Sequence, residues 1–302
     1  MKHRLYILLA AFLWGGLGIY FKELSARGAE PMQIVFLRVS IATLGLGAWL
    51  ICTNREAFRI RAKDLWCFVG TGLFSLLLVN WCYYSAVHEA GMAVAGVLLY
   101  TAPAFVTIMS ALLFKERLRL PGWGILVLIL LGCAMVSGIV GSVAGVGAAG
   151  ILYGLGSGLG YASYSIFGRY ALNRGYSPQT ISFYTFALCT LGCLPFAIAS
   201  TEPSHIVLAS DPAVWAYALA LGTLGCLFPF WLYTKGLSGT TGAAASMTAT
   251  FEPVVSALIG VILYSERLTL WQVAGMALIL GGIAVLAKFT SKRKELPKEA
   301  AK

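Results

Sequence analysis

The chain is predicted to be an all-α polytopic membrane protein, and three observations predict it. Hydrophobic residues make up 59% of its 302 residues and charged residues only 11%, whereas a soluble domain carries about 25% charged residues. Apolar runs of about 20 residues recur along the whole sequence, the length a helix needs to cross about 30 Å of hydrocarbon, and the mean hydropathy is +0.82. Finally, YTAPAFVTIMSALLFKERL at 100–118 returns as TATFEPVVSALIGVILYSERL at 248–268, so the apolar pattern is written twice. A closed barrel, the other way to satisfy every backbone group in lipid, would need short alternating strands rather than these long continuous runs.

Ten transmembrane helices are expected, at 5–23, 32–53, 65–86, 91–113, 121–140, 147–168, 178–200, 213–234, 240–263 and 269–287. Their short connections leave no room for a soluble catalytic domain. The first run follows MKHR and has the form of a secretory signal, but it has a full counterpart in the second half and is read as a permanent span. The net charge of +10 is distributed by side. With the N-terminus inside, eighteen of the 22 Lys and Arg residues fall in cytoplasmic segments, three (Lys22, Arg27, Arg267) in outer loops, and Arg38 within a span. That is the positive-inside pattern. It puts both termini in the cytoplasm and argues against nucleic acid as a partner. The basic tail 289–302 is expected to be a solvated end near anionic lipid. The seven cysteines lie in or beside apolar runs without a CxxC pair, as small core residues do, so neither a disulfide framework nor a metal site is expected.

The repeat has a definite register. At an offset of 150, Gly72, Trp81, Tyr83, Pro103, Glu116 and Gly132 match Gly222, Trp231, Tyr233, Pro253, Glu266 and Gly282. Near the start the offset is 147, so that Arg27, Gly28 and Pro31 match Arg174, Gly175 and Pro178. The Gly-rich stretch 141–150 absorbs the difference, and the expected units are 1–141, 146–288 and the tail. Five spans per unit make the second unit enter the membrane from the opposite face. The charges follow: KERLR at 115–119 carries three cations and SERLT at 265–269 only one. Inverted repeats of this kind build secondary transporters, with the solute site near the midplane between the halves.

These segments, together with LWGGLGIYFK near residue 13, FLRVSIATL at 36–44 and the YYSAV run ending at 87, closely resemble the EamA type of the drug/metabolite transporter superfamily. The resemblance extends to about residue 288. It implies a ten-helix carrier of the inner membrane, two inverted EamA-like repeats, commonly exporting small metabolites such as amino acids, or toxic compounds.

Ionisable groups inside spans are the sharpest candidates for a site, because burying one in hydrocarbon costs about 2.5–3.5 kcal/mol on insertion scales. Glu252 lies midway along the ninth span before Pro253, and its counterpart is Ala102; the fold itself therefore requires no acid there. It is a candidate proton carrier or cation site, or alternatively a cap for backbone groups freed by the proline. Arg38 in the second span, with counterpart Thr185, is a candidate anchor for a carboxylate or phosphate, or alternatively the partner of an ion pair, Glu252 included. Trp14, Asn80, Tyr84, Tyr100, Tyr161, Tyr164, Tyr184 and Trp231 are candidate linings of an aromatic solute cavity, each with core packing as the plainer alternative. Pro103 and Pro253 are candidate hinges. Gly150, Gly154 and Gly158 form a close-packing stripe, and Glu116 and Glu266 are read as helix-end salt-bridging groups. Nucleotide-binding and catalytic motifs are missing, so no cofactor and no enzymatic activity are expected. The expected partners are a small solute, the bilayer and protons as a candidate coupling ion. A lipid-acting membrane enzyme or a passive channel is the alternative.

Overall fold

A computed structural model describes residues 2–116, 120–138, 147–199 and 211–295. Among the described residues the chain forms ten helical segments: α1 Lys2–Ala26, α2 Pro31–Thr53, α3 at 65–90, α4 at 92–114, α5 Leu120–Val136, α6 Ala148–Asn173, α7 Pro178–Ala199, α8 Pro212–Leu237, α9 Gly242–Tyr264 and α10 Leu270–Glu295. Seven stretches are long and apolar enough to cross a membrane, and α5 and the second part of α4 are shorter apolar helices. The protein is thus an all-α, polytopic membrane protein. Two helices meet at Gly91, which adopts φ 81° and ψ 162°, a conformation that glycine adopts without steric cost. The chain reverses there. Val79, Cys82 and Ala90 face Gly160, Gly156 and Gly150, while Leu98 and Thr101 return along Gly154 and Gly158. The glycine stripe of α6 is therefore the surface on which both arms of this hairpin pack, and its small side chains explain why α6 is less apolar than its neighbours.

The inversion can be read from contacts. Gly132 in α5 faces Ile279 in α10, and Gly282 faces Ile129; as one residue number rises the other falls, so these equivalent helices run antiparallel. Thr43 and Thr190, equivalents at the offset of 147, meet each other through their hydroxyls at 3.2 Å, as residues beside a pseudo-twofold axis must. Turns repeat as well. Gly28 and Gly175 take φ 90° and 86°, and Lys115 and Ser265 take φ 56° and 55°. The end of α4 lies beside the start of α9, where Ser110 and Val106 abut Gly242. Glu116 and Glu266 accordingly stand at opposite ends of the bundle.

Two features were not expected from the sequence. The backbone widens to π-type hydrogen bonding at Gly70–Leu77 in α3 and at Thr223–Leu227 in α8. At Gly72 a Cβ would lie 3.0 Å from the Thr185 carbonyl oxygen, and at Gly222 3.2 Å from that of Arg38, so each distortion accompanies a close approach by α7 or α2. The basic tail also starts later than expected. Lys and Glu are good helix formers, and α10 continues to Glu295; residues 296–302, like 139–146 of the expected linker, lie outside the described residues.

Packing is divided among several clusters. One joins α2, α3, α7 and α8 around Val39, Leu46, Leu76 and Phe186; another joins α5, α9 and α10 around Ile129, Met247 and Ile279. Leu44, Leu120, Ile262 and Leu270 point outward, 72–89% exposed, which suits side chains that face hydrocarbon rather than water. A Cβ at Gly132 would lie 2.8 Å from the Gly275 carbonyl oxygen, so Gly132→Val should force α5 and α10 apart. We expect a loss of about 1–3 kcal/mol, read as a lower thermal midpoint in detergent, while Gly124→Ala, with nothing within 4 Å, should leave it unchanged.

Candidate functional site

Both α4 and α9 are interrupted at matching places. Helical geometry lapses at Tyr100–Thr101 and at Thr250–Phe251, and each second half-helix carries its proline near the start. Proline has no N–H, so the carbonyls of Leu99 and Ala249 lose their intrahelical donors. The interruptions fall two to three residues before Pro103 and Pro253, with backbone angles that stay near the helical region. Irregular backbone at this depth is tolerated only where protein or a cavity covers it, and a cavity does. It is lined by Leu99, Tyr100, Ala102 and Pro103 from α4, Tyr161 from α6, and Ser246, Ala249, Thr250 and Glu252 from α9. Its volume is about 10 Å³, enough for a single water molecule.

Glu252 is the acid of this cavity. It begins the second half-helix of α9, where unpaired N–H groups give the helix end its positive character and favour a carboxylate. The backbone beneath it is held closely, since a Cβ at Gly15 would lie 2.6 Å from Val255 and 3.0 Å from the Glu252 carbonyl oxygen. Among the described residues the Glu252 side chain takes part in no hydrogen bond and no ion pair. The hydroxyls of Tyr83, Tyr100 and Tyr161 lie within electrostatic reach of it, as does Arg38.

Arg38 is 5% exposed and donates from Nη2 to Asn80 Oδ1 at 2.8 Å, while Asn80 Nδ2 donates to the Leu76 carbonyl. Its guanidinium stands 5.6 Å from the Phe21 ring centroid, and Phe21 packs on Tyr84. It forms no ion pair among the described residues, and its buried Nε has no hydrogen-bond partner. An Arg38–Glu252 ion pair is not formed among the described residues; Asn80 of α3 is the side-chain acceptor of the guanidinium. A buried cation without an anion is costly, so its environment is incomplete. Beyond Tyr84 lies a second, more open cavity of about 370 Å³, bordered by Met32, Trp81, Ser85, His88 and Tyr153 among others.

The remaining candidates separate into groups. Trp14, Tyr161 and Tyr164 join Phe230 and Tyr233 in one aromatic cluster, with Trp14–Phe230 and Tyr164–Phe230 centroids each 5.1 Å apart. Tyr164 also meets the Thr234 hydroxyl at 2.6 Å. Tyr161 and Tyr100 line the small cavity, and Tyr84 with Asn80 belongs to the Arg38 group. Two candidates lie elsewhere. Tyr184 donates to the Phe58 carbonyl at 2.7 Å and packs with Phe68 near the end of the bundle, because the α2–α3 connection folds over it. Trp231 turns towards the side of Lys235, whose Nζ lies 4.8 Å from both its ring and that of Tyr6. Sequence reasoning missed Phe21, Ser246 and Tyr83. Tyr83 alone left a signal, as the repeat-mate of Tyr233.

The EamA-like transporter family matches the chain over residues 1–138 and 148–288. The chain belongs to the EamA-like transporter family. An uncharacterized transporter of Archaeoglobus fulgidus is 27% identical, over 92% of this chain and 94% of its own length. The pseudopaline exporter CntI of Pseudomonas aeruginosa is also 27% identical, over 93% and 94%, and the uncharacterized inner membrane transporter YicL of Salmonella typhimurium 24% identical, over 97% of each. A crystal structure with 22% identity superposes with a TM-score of 0.79, over 97% of this chain and 99% of that one, and shows the shared fold. This EamA-like protein is therefore a multi-pass membrane transporter of small molecules.

Its buried Arg38 gives a stability prediction. Asn80→Leu removes the acceptor of a charged donor and should cost about 2 kcal/mol in detergent unfolding. Asn80→Asp supplies the missing carboxylate and should keep stability near that of the parent.

Proposed function

We propose that this EamA-like protein is a secondary active exporter of small metabolites, of the amino-acid class or related compounds, working by alternating access with protons as the coupling ion. The observation that carries the reading is Glu252, a carboxylate at the start of a half-helix, facing a small cavity lined by α4, α6 and α9 and without a partner among the described residues. Such a group is free to exchange a proton or a cationic group as access alternates. The units 1–141 and 146–288 serve as the two moving halves, with both termini and the tail 289–302 on the cytoplasmic side. Tyr100 and Tyr161 line the solute path beside Glu252, and Trp14 and Tyr164 supply its aromatic surroundings. Arg38, set by Asn80 and screened by Tyr84, anchors the solute's anionic group. Pro103 and Pro253 act as the hinges. Export, rather than import, is supported by the exporter function named for the Pseudomonas relative.

Reconstitution in liposomes with a panel of amino acids, other carboxylates and organic cations tests this reading. With the compartment corresponding to the cell exterior made acidic, protons run inward and solute should move outward against its gradient; a protonophore should stop it. Glu252→Gln cannot release a proton, so flux should lose its dependence on the pH gradient while solute exchange at equal pH persists. Unchanged gradient-driven flux in that variant would remove Glu252 from the coupling. Arg38→Lys keeps the charge but not the fork geometry, and should weaken anionic and zwitterionic solutes selectively. Equal weakening of cationic solutes would show that Arg38 only supports the fold.

A further inference from the structure

The two ends of the bundle carry equivalent groups in different states. At the end where α4 finishes, Arg169 of α6 reaches Glu116 Oε1 from Nη2 at 2.9 Å, and its Nη1 donates to the carbonyls of Leu237 and Thr240. One side chain thereby ties the last turn of α6 to the end of α4 and to the turn between α8 and α9. At the offsets of 147 and 150, the same pair at the other end is Lys22 and Glu266. There no ion pair is formed among the described residues. Lys22 Nζ sits 3.5 Å from the centroid of the Tyr264 ring, two residues short of Glu266, and both Lys22 and Glu266 are exposed. The backbones do not explain the difference: Glu116 N–H donates to the Ser110 carbonyl and Glu266 N–H to that of Gly260, each at 3.2 Å.

A second pair of arginines shows that the ends are not simply unequal. Arg174 meets Asp64 at 2.9 Å, and its repeat-mate Arg27 meets Asp211 at 3.5 Å. That arrangement is closed at both ends, whereas the Glu116 arrangement is closed at one. In an inverted repeat the halves exchange conformations when access switches. A contact that is open at one end and closed at the other is the kind that must trade places, while a contact closed at both is a static tie.

We propose that Glu116–Arg169 and Lys22–Glu266 are alternating latches that determine which face of the membrane the central cavity opens to. This rests on the alternating-access reading above. In the structure the latch at the Glu116 end, assigned to the cytoplasm by the Lys and Arg distribution, is fastened and the outer latch is released. The residue types set a bias. Arg169 binds a carboxylate and two carbonyls at once through its planar fork, whereas Lys22 is a strongly hydrated point charge on a flexible stem. The cytoplasmic latch is thus the stronger, and the resting protein favours the face opposite to it.

The test uses Ser246→Cys, in the cavity wall and 1% exposed in the structure, labelled by a membrane-impermeant maleimide in right-side-out and inside-out vesicles and counted above the parent. Within that background, Arg169→Gln should raise labelling from the cytoplasmic face and lower it from the outer face, by up to about fivefold, the shift that an accessible ion pair can supply. Glu266→Gln should do the opposite. Lys22→Arg, which strengthens the outer latch, should act in the same direction as Arg169→Gln; the swap K22E/E266K should restore the parent ratio, and E116R/R169E, whose carboxylate at 169 cannot donate to the Leu237 and Thr240 carbonyls, should restore it in part. Shifts of the same sign for Arg169→Gln and Glu266→Gln, or swaps that restore nothing, would overturn the latches. Flux separates the two readings: opposite labelling shifts in a protein that moves no solute of the panel uphold the latches and refute the transport mechanism. Gradient-driven flux with labelling indifferent to all four residues refutes the latches alone.

Discussion

Every polar group of the backbone must find a partner when the surrounding solvent is hydrocarbon, and the architecture of this protein follows from that demand. Helices meet it along their length. The two places where α4 and α9 fail to meet it, at Tyr100–Thr101 and Thr250–Phe251, need cover from the protein, and the α6 face around Tyr161 with Gly15 of α1 provides it. The breaks, the small cavity and Glu252 are therefore consequences of one another. A proline in each helix removes a donor, Leu99 and Ala249 line the cavity, and the exposed start of the second half-helix in α9 favours an acid.

The backbone keeps the pseudo-twofold relation closely, and the side chains depart from it where chemistry is needed. Turns, helix breaks and π-type distortions occur in pairs, as do the approach of α7 to Gly72 and that of α2 to Gly222. Glu252 stands opposite Ala102 and Arg38 opposite Thr185. Thr185 shows what the fold alone asks of that position: its hydroxyl bonds to the Thr71 hydroxyl and the Ile181 carbonyl, both at 2.7 Å, and is fully satisfied. Arg38 in the same role keeps an orphaned Nε and lacks an anion. Charges without partners in a low-dielectric setting are costly, and a transporter that must bind, release and rebind a charged solute is one setting in which such a cost has a use.

Much of this was legible in the sequence. The spans follow from apolar length, the inversion from five spans per repeat and the charge difference between KERLR and SERLT, and the breaks from paired prolines at equal depth. Glu252 could be singled out because its repeat-mate is alanine. Other features left weaker signals. The reversal between α3 and α4 takes only a single glycine, Gly91, where the apolar runs leave a gap at 87–90, and the π-type turns have no composition of their own. Tyr184 shares the residue type and depth of the site tyrosines, yet the α2–α3 connection claims its hydroxyl.

Alone, the sequence determined the helical class, the number of passages and the opposed orientation of the halves, because hydrocarbon cost and charge sidedness act on each segment separately. Only the tertiary structure decided which groups meet. Arg38 finds Asn80 across 42 residues and Arg169 finds Glu116 across 53, whereas Lys22 and Glu266, the repeat-mates of the latter pair, stay apart. Such choices depend on distances of a few ångströms between helices remote in the chain, and charge pairs form or fail over that range. No local pattern of residues encodes them.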